Sequence, residues 1–303
     1  MMPAALLIPP GLVALAGAVL VPLLPRRARS AAFLVFCLFA LALVVSIPDG
    51  AKLTVRVMDF TLVLLRMDAL SRVFGVVFAL IALAGGLYAF HLEEAGQQTA
   101  ALLYAGSGLG VVLAGDLLTI LVFWEVMALA STYLVWARRT EESEQAGARY
   151  LLVHVFGGGL LFAGILVHLS QGGTLDLAAF APGTTAPGPW LMLTGVLLNA
   201  ACPPLHAWLP DAYPKATVTG AVFLSAFTTK AAVYVLLRAY PGWKILVVLG
   251  VMMTLYGVVY AILADDIRGI LAYHIVSQVG FMVAGAGIGT ELGINGSAAH
   301  AYS

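Results

Sequence analysis

The chain has 303 residues, of which 62% are hydrophobic and only 10% charged, with a formal net charge of zero. Ordinary soluble domains are roughly 45–50% apolar; the mean hydropathy of +1.00 excludes that class and places the chain in a membrane. A balanced charge argues against nucleic-acid binding. Two cysteines, Cys37 and Cys202, lie far apart inside apolar runs, which gives neither a disulfide framework nor a metal-ligand spacing.

About ten apolar runs follow one another, over 4–24, 30–47, 68–90, 98–115, 117–136, 148–170, 189–209, 218–240, 243–264 and 268–289. The first is read as a retained helix, because its arginines (Arg26, Arg27, Arg29) follow the apolar stretch and do not precede it. Between the second and third runs, Lys52 to Arg66 alternates polar and apolar residues, which predicts an extracytoplasmic β-hairpin or extended loop. The Gly/Pro/Thr-rich segment Gln171 to Gly188 reads as a connector on the outer face.

With the N-terminus outside, the inward loops hold Arg26, Arg27, Arg29, Arg138, Arg139, Arg149, Lys215 and Arg268. The outward side holds Lys52, Arg56, Arg66, Arg72, Arg238 and Lys244. The excess favours that orientation under the positive-inside rule. Asp265, Asp266 and Arg268 read as a solvated cytoplasmic turn.

Charge inside the apolar runs is the informative feature. Glu125 lies about 12 Å into the run 117–136 at 1.5 Å per residue, near mid-membrane. An ionised group there costs roughly 2.5–3.5 kcal/mol on insertion scales. Lys230 sits at similar depth in 218–240. Desolvation and a partner of opposite charge push the affinity of each group for a proton in opposing directions, so the two form a candidate exchangeable pair. In the seventh run, Pro203 and Pro204 remove two backbone donors and predict a broken helix. Such breaks line polar sites in many transporters. Asn199 precedes the break and His206 follows it. Asn199 hydrogen-bonds or coordinates without carrying a proton, whereas His206 is either a relay or a packed histidine. His154 and His274, also within apolar runs, are open to the same two readings. Asp211 follows Leu209-Pro210, where helix capping and function explain it equally well. No phosphate loop, nucleophile elbow or zinc spacing is present, so no covalent chemistry and no cofactor are expected.

Three stretches carry a resemblance: FWEVMALASTYLV around Glu125, the segment from Pro203 to Arg238, and the segment from Asp265 to Thr290. They resemble the proton-translocating membrane subunits shared by respiratory complex I and the multisubunit Mrp-type sodium/proton antiporters, in particular the D-type component of the antiporters. The resemblance runs from about residue 65 onward. With the ten or so apolar runs as its membrane helices, the chain is then expected to be an all-α polytopic protein, and the resemblance implies an inverted-repeat architecture: residues 1–97 as three leading helices with the external hairpin, 98–242 as the first five-helix repeat with its broken seventh helix, and 243–303 as the start of a second repeat that stops short. The chain is thus expected to be a fragment or half of a split subunit.

The resemblance further implies that Glu125 is the essential glutamate of helix five, Lys230 the lysine of helix eight and His274 a histidine of the central polar axis. Asn199 stands where the family pattern has a lysine, five residues before a proline. The proton or ion path expected from all this comprises Glu125, Lys230, His274, His206, Asn199 and His154. The expected role is a bacterial inner-membrane subunit of a multisubunit monovalent cation/proton antiporter, moving protons, with Na+ a further candidate, alongside other membrane subunits in the lipid bilayer. The rival reading is a pumping subunit of a complex I-like quinone oxidoreductase or membrane-bound hydrogenase, whose redox chemistry other subunits would supply. A non-transporting scaffold is the third.

Overall fold

The computed structural model describes residues 7–300. Positions 4–6 of the first expected span, and the chain termini of the first and last expected divisions, lie outside the described residues. The chain divides into two compact units, one running up to Ala137 and including Thr217–Phe227, the other taking Arg138–Ala216 and the chain from Thr228 onward.

In the first unit, α1 (Pro10–Leu20) opens with a proline at its first position, where no donor is needed. A 3-10 turn at Val21–Leu23 ends it, and Arg29 caps the freed carbonyls of Leu24 (2.9 Å) and Pro22 (3.2 Å). After α2 (Arg26–Ser46), strands β1 (Lys52–Val57) and β2 (Phe60–Arg66) pair antiparallel, Val57 opposite Phe60. Met58 in the turn adopts φ +52, the left-handed backbone that a two-residue hairpin turn requires. The alternation of Lys52 to Arg66 therefore gives the expected hairpin.

Asp68 and Ser71 form a capping box at the start of α3 (Ala69–Tyr88). The next helix, α4 (Ala95–Leu113), approaches α1 so closely that a Cβ on Gly11 would lie 2.7 Å from the Gly106 carbonyl; small residues permit such contact. Asp116 caps α5 (Leu117–Trp136). The core gathers around Phe227, whose ring meets Phe78 and Tyr104 edge-on at 5.1 Å each. Nearby, α9 (Val218–Leu224) is capped by Thr217.

The second unit begins with α6 (Glu141–Ser170), launched by a capping box of Thr140 and Ser143. Its partner α7 (Pro187–Asn199) ends four residues before the first proline, so the expected run 189–209 is not one helix. Neither Pro203 nor Pro204 has an N–H to give to the carbonyls of Asn199 and Ala200, and Ala201 takes φ +57. The chain turns irregularly through 200–207 and resumes as α8 (Trp208–Ala212).

The expected run 218–240 is also interrupted. Between α9 and α10 (Thr228–Ala239), the Ser225 hydroxyl donates to the Val222 carbonyl at 2.8 Å, and the Ala226 amide bonds three residues back to Phe223, a tightening that closes the helix. Helices α11 (Lys244–Leu263) and α12 (Ile267–Ile288) form an antiparallel pair. Their backbones touch: a Cβ on Gly250 would lie 2.5 Å from the Gly280 carbonyl. Asp266 caps α12 by accepting from the amides of Arg268 and Gly269, and Gly289 ends it at φ +68. A short α13 (Glu291–His300) follows.

Among the described residues, seven helical segments are long and apolar enough to cross a membrane, with Val218–Ala239 counted as one across its break at 225–227. The expected count of about ten is not confirmed. α1 and α7 are short, and α4, though 19 residues long, carries Gln97 and Gln98 among alanines and glycines.

Candidate functional site

Each unit holds polar groups inside its apolar helices. In the first, the depth of Glu125 on α5 is set by the helix start. Asp116, 1% exposed, accepts from the Thr119 amide (2.8 Å) and hydroxyl (2.5 Å), and also from the Val63 amide on β2 (2.6 Å). One carboxylate thus caps the helix and clamps the hairpin to it. Glu125 itself is half-buried. It lies on the stripe of α5 that carries Val122 and Leu129, each 60% exposed. The Asp-x-x-Thr sequence announces the cap, but the clamp on Val63 could not have been read from it.

The second unit contains the remaining candidates. Lys230, half-buried, falls in the first turn of α10, directly after the break at 225–227. His154 on α6 is 1% exposed and Asn199 at the end of α7 is 0% exposed. The His154 ring stacks on Tyr150 (centroids 3.9 Å apart) and meets Trp208 edge-on at 4.5 Å. Its Nδ1 lies 2.9 Å from the Tyr150 carbonyl. A carbonyl only accepts, so Nδ1 carries a hydrogen, and in the neutral ring Nε2 then presents a lone pair. Trp208 donates to the Leu198 carbonyl at 2.9 Å, which joins α8 to the residue before Asn199. A Cβ on Gly157, one turn from His154, would lie 3.6 Å from Asn199 Oδ1. His154 and Asn199 therefore share one layer between α6, α7 and α8. Buried there with no hydrogen-bond partner among the described residues are His154 Nε2 and both polar atoms of the Asn199 carboxamide.

The other two histidines lie elsewhere in this unit. His206, within the break, packs edge-on against Tyr256 of α11 at 4.3 Å, and Tyr256 continues into Tyr260 at 4.4 Å. His274 is exposed on α12 and accepts from Gln278 Nε2 at 3.2 Å. Tyr150, Trp208 and Tyr256 had no distinguishing signal among so many apolar aromatics.

Away from these groups, Asp211 serves as an ion-pair hub. Arg149 holds it with two bonds (2.7 and 3.0 Å) and Lys215 with one (2.6 Å). Partial burial pushes its carboxyl up, yet the bonds from Arg149 and Lys215 outweigh that and hold it below the usual range. Arg268 donates to the carbonyls of Pro214 (2.9 Å) and Ala216 (3.0 Å). It therefore ties α12 to the 213–216 turn and is no simple solvated residue. Among the described residues, no three His, Cys, Asp or Glu side chains converge to hold a metal ion.

Comparison with known proteins places the chain in a family. The D component of the Na(+)/H(+) antiporter of Alkalihalophilus pseudofirmus is 33% identical over 210 residues, covering 62% of this chain and 42% of that protein. Hydrogenase-4 component B of Escherichia coli is 29% identical over 253 residues, 76% of this chain and 38% of its own length. In the solved structure of the Mrp complex from Dietzia sp. DQ12-45-1b, one chain superposes with a TM-score of 0.86 at 28% identity, over 96% of this chain and 36% of that one. The chain spans less than half the length of each of these relatives. Residues 114–303 match the pattern of the family described as NADH:quinone oxidoreductase/Mrp antiporter, TM, and with 190 of 303 residues inside that match, this multi-pass membrane chain belongs to the family.

Proposed function

We propose that this chain is a subunit of a multisubunit monovalent cation/proton antiporter, moving protons, with Na+ as candidate counter-ion, by changes of side-chain protonation. Glu125 carries the reading. A half-buried carboxyl in the middle of an apolar 20-residue helix is costly to insert and is well placed to take up and release a proton. Lys230 is the modulated partner, and Asn199, His154, His206 and His274 extend the path. The similarity to the D component of the Alkalihalophilus antiporter supports this assignment. Residues 98–242 then act as a first five-helix repeat and 243–303 as the beginning of a second, in a bacterial inner membrane with the N-terminus outside and other membrane subunits alongside.

The match to hydrogenase-4 component B across 76% of the chain favours a second reading, a pumping subunit of a redox-driven membrane complex. Subunits with iron–sulfur or nickel sites encoded beside this chain would select that reading.

The test is dissipation of an imposed pH gradient by added Na+ in vesicles carrying the whole complex. Glu125→Ala and Lys230→Ala should each lower the exchange about a hundredfold, the lower end of what a positioned proton-transfer group contributes. Undiminished exchange in both variants would remove the assigned roles.

A further inference from the structure

The buried layer of α6, α7 and α8 holds an arrangement that the transport reading alone does not explain. A histidine serving only as packing would have both ring nitrogens satisfied or one turned to solvent, because buried polar atoms nearly always find partners. Here Nδ1 is satisfied by the Tyr150 carbonyl, while Nε2 has no partner among the described residues, in a layer where the Asn199 carboxamide also lacks partners on both its atoms. Aromatic contacts from Tyr150 and Trp208 fix the ring. The Trp208 bond to the Leu198 carbonyl fixes the end of α7. No charged side chain bonds to either group among the described residues.

The chemistry of the two groups is complementary. A neutral imidazole with its hydrogen on Nδ1 needs a donor at Nε2, and the Asn199 Nδ2 supplies two hydrogens. A protonated imidazole needs an acceptor at Nε2, and the Asn199 Oδ1 supplies lone pairs. A carboxamide satisfies the ring in both states without itself titrating.

We propose, resting on the transport reading above, that His154 and Asn199 form a proton-holding pair of this unit. His154 Nε2 takes up one proton and gives the same proton back, and Asn199 stabilises both states through a shared water. The pair has no permanent charge, so positive charge appears in this layer only while a proton is held there. Asn199 is a positioning residue for the imidazole, and His154 is the carrier.

The experiment uses the assembled complex in lipid with 15N-labelled histidine. The His154 signals should report an Nδ1–H tautomer with Nε2 hydrogen-bonded, and Asn199→Leu should move the Nε2 signal. In vesicles, H154Q and N199L should each lower gradient-driven proton flux, H154Q by about a hundredfold, and the double variant should fall no lower than the worse single one, as expected for groups that act as a unit. The pair is overturned if H154Q, assembled in wild-type amount, carries protons at the wild-type rate, or if N199L leaves the His154 Nε2 signal unmoved. Should H154Q fail to assemble, the response of His154 to N199L decides. Loss of flux in Glu125→Gln with none in H154Q sinks the pair and leaves the transport reading standing. A wild-type complex that moves no protons sinks the transport reading, and the nitrogen signals alone then judge the pair.

Discussion

Replacing Asp116 by alanine removes three accepted hydrogen bonds at once, two from Thr119 and one from Val63. Loss of a helix N-cap costs about 1 kcal/mol. The Val63 amide, buried and deprived of its acceptor, adds roughly 1–3 kcal/mol. The Thr119 hydroxyl can rotate to another acceptor and adds little. The total is about 2–4 kcal/mol, which lowers the melting temperature of the complex by roughly 5–10 °C on the scale of a domain this size. Asp116→Asn should fall between: its Oδ1 still caps the Thr119 amide, but its amide group faces the Val63 N–H donor to donor. The assay is thermal unfolding of the purified complex in detergent. Asp59 in the exposed hairpin turn supplies the control variant, Asp59→Ala. If D116A melts no lower than D59A, the clamp does not hold the start of α5 and the depth of Glu125 has another origin.

Two further outcomes follow from the second unit. Asp211→Asn releases Arg149 and Lys215. Because these pairs are exposed to solvent on the Arg149 side and only partly buried on the Asp211 side, the loss should be small. The folded state holds the Asp211 carboxyl below its usual range, so its contribution is full above the unfolded value near pH 4 and disappears as pH falls through the lower folded value. Melting curves of D211N and wild type should therefore differ by a constant amount from pH 5 to 8 and converge only in stronger acid; a gap that widens with acid would refute the sign. Gly250→Leu places a side chain where a Cβ already comes within 2.5 Å of the Gly280 carbonyl. Backbone does not yield as a side chain does, so overpacking of about 1–3 kcal/mol or more is expected, read as lower recovery of assembled complex; wild-type recovery would mean that α11 and α12 stand further apart.

Much of the architecture was legible because membrane helices are written in runs of apolar residues. The bounds of α5 coincide with its run, since Asp116 caps one end and arginines follow the other. The hairpin was visible in the alternation of Lys52 to Arg66. The double proline announced the break in the seventh run, though α7 stops earlier, at Asn199, because a proline withholds its hydrogen bond from the carbonyl four residues back. The interruption at 225–227 was hidden: no proline or glycine marks it, and the back-bond of Ser225 that accompanies it is one that Ser131 also makes inside the unbroken α5. The break places Lys230 in a first helical turn, a position that hydropathy cannot register.

Composition and the order of apolar runs along the chain determined the solvent of this protein, the approximate order of its helices and the few residues whose charge is expensive in that solvent. Those properties are additive along the chain, so a linear reading recovers them. Which polar atoms meet was decided only in three dimensions. The union of Asp116 with Val63, and the sharing of one buried layer by His154 on α6 and Asn199 on α7, depend on contacts between segments distant in sequence. Neither residue type nor spacing encodes such contacts, because each is fixed by how whole helices pack and where their backbones break.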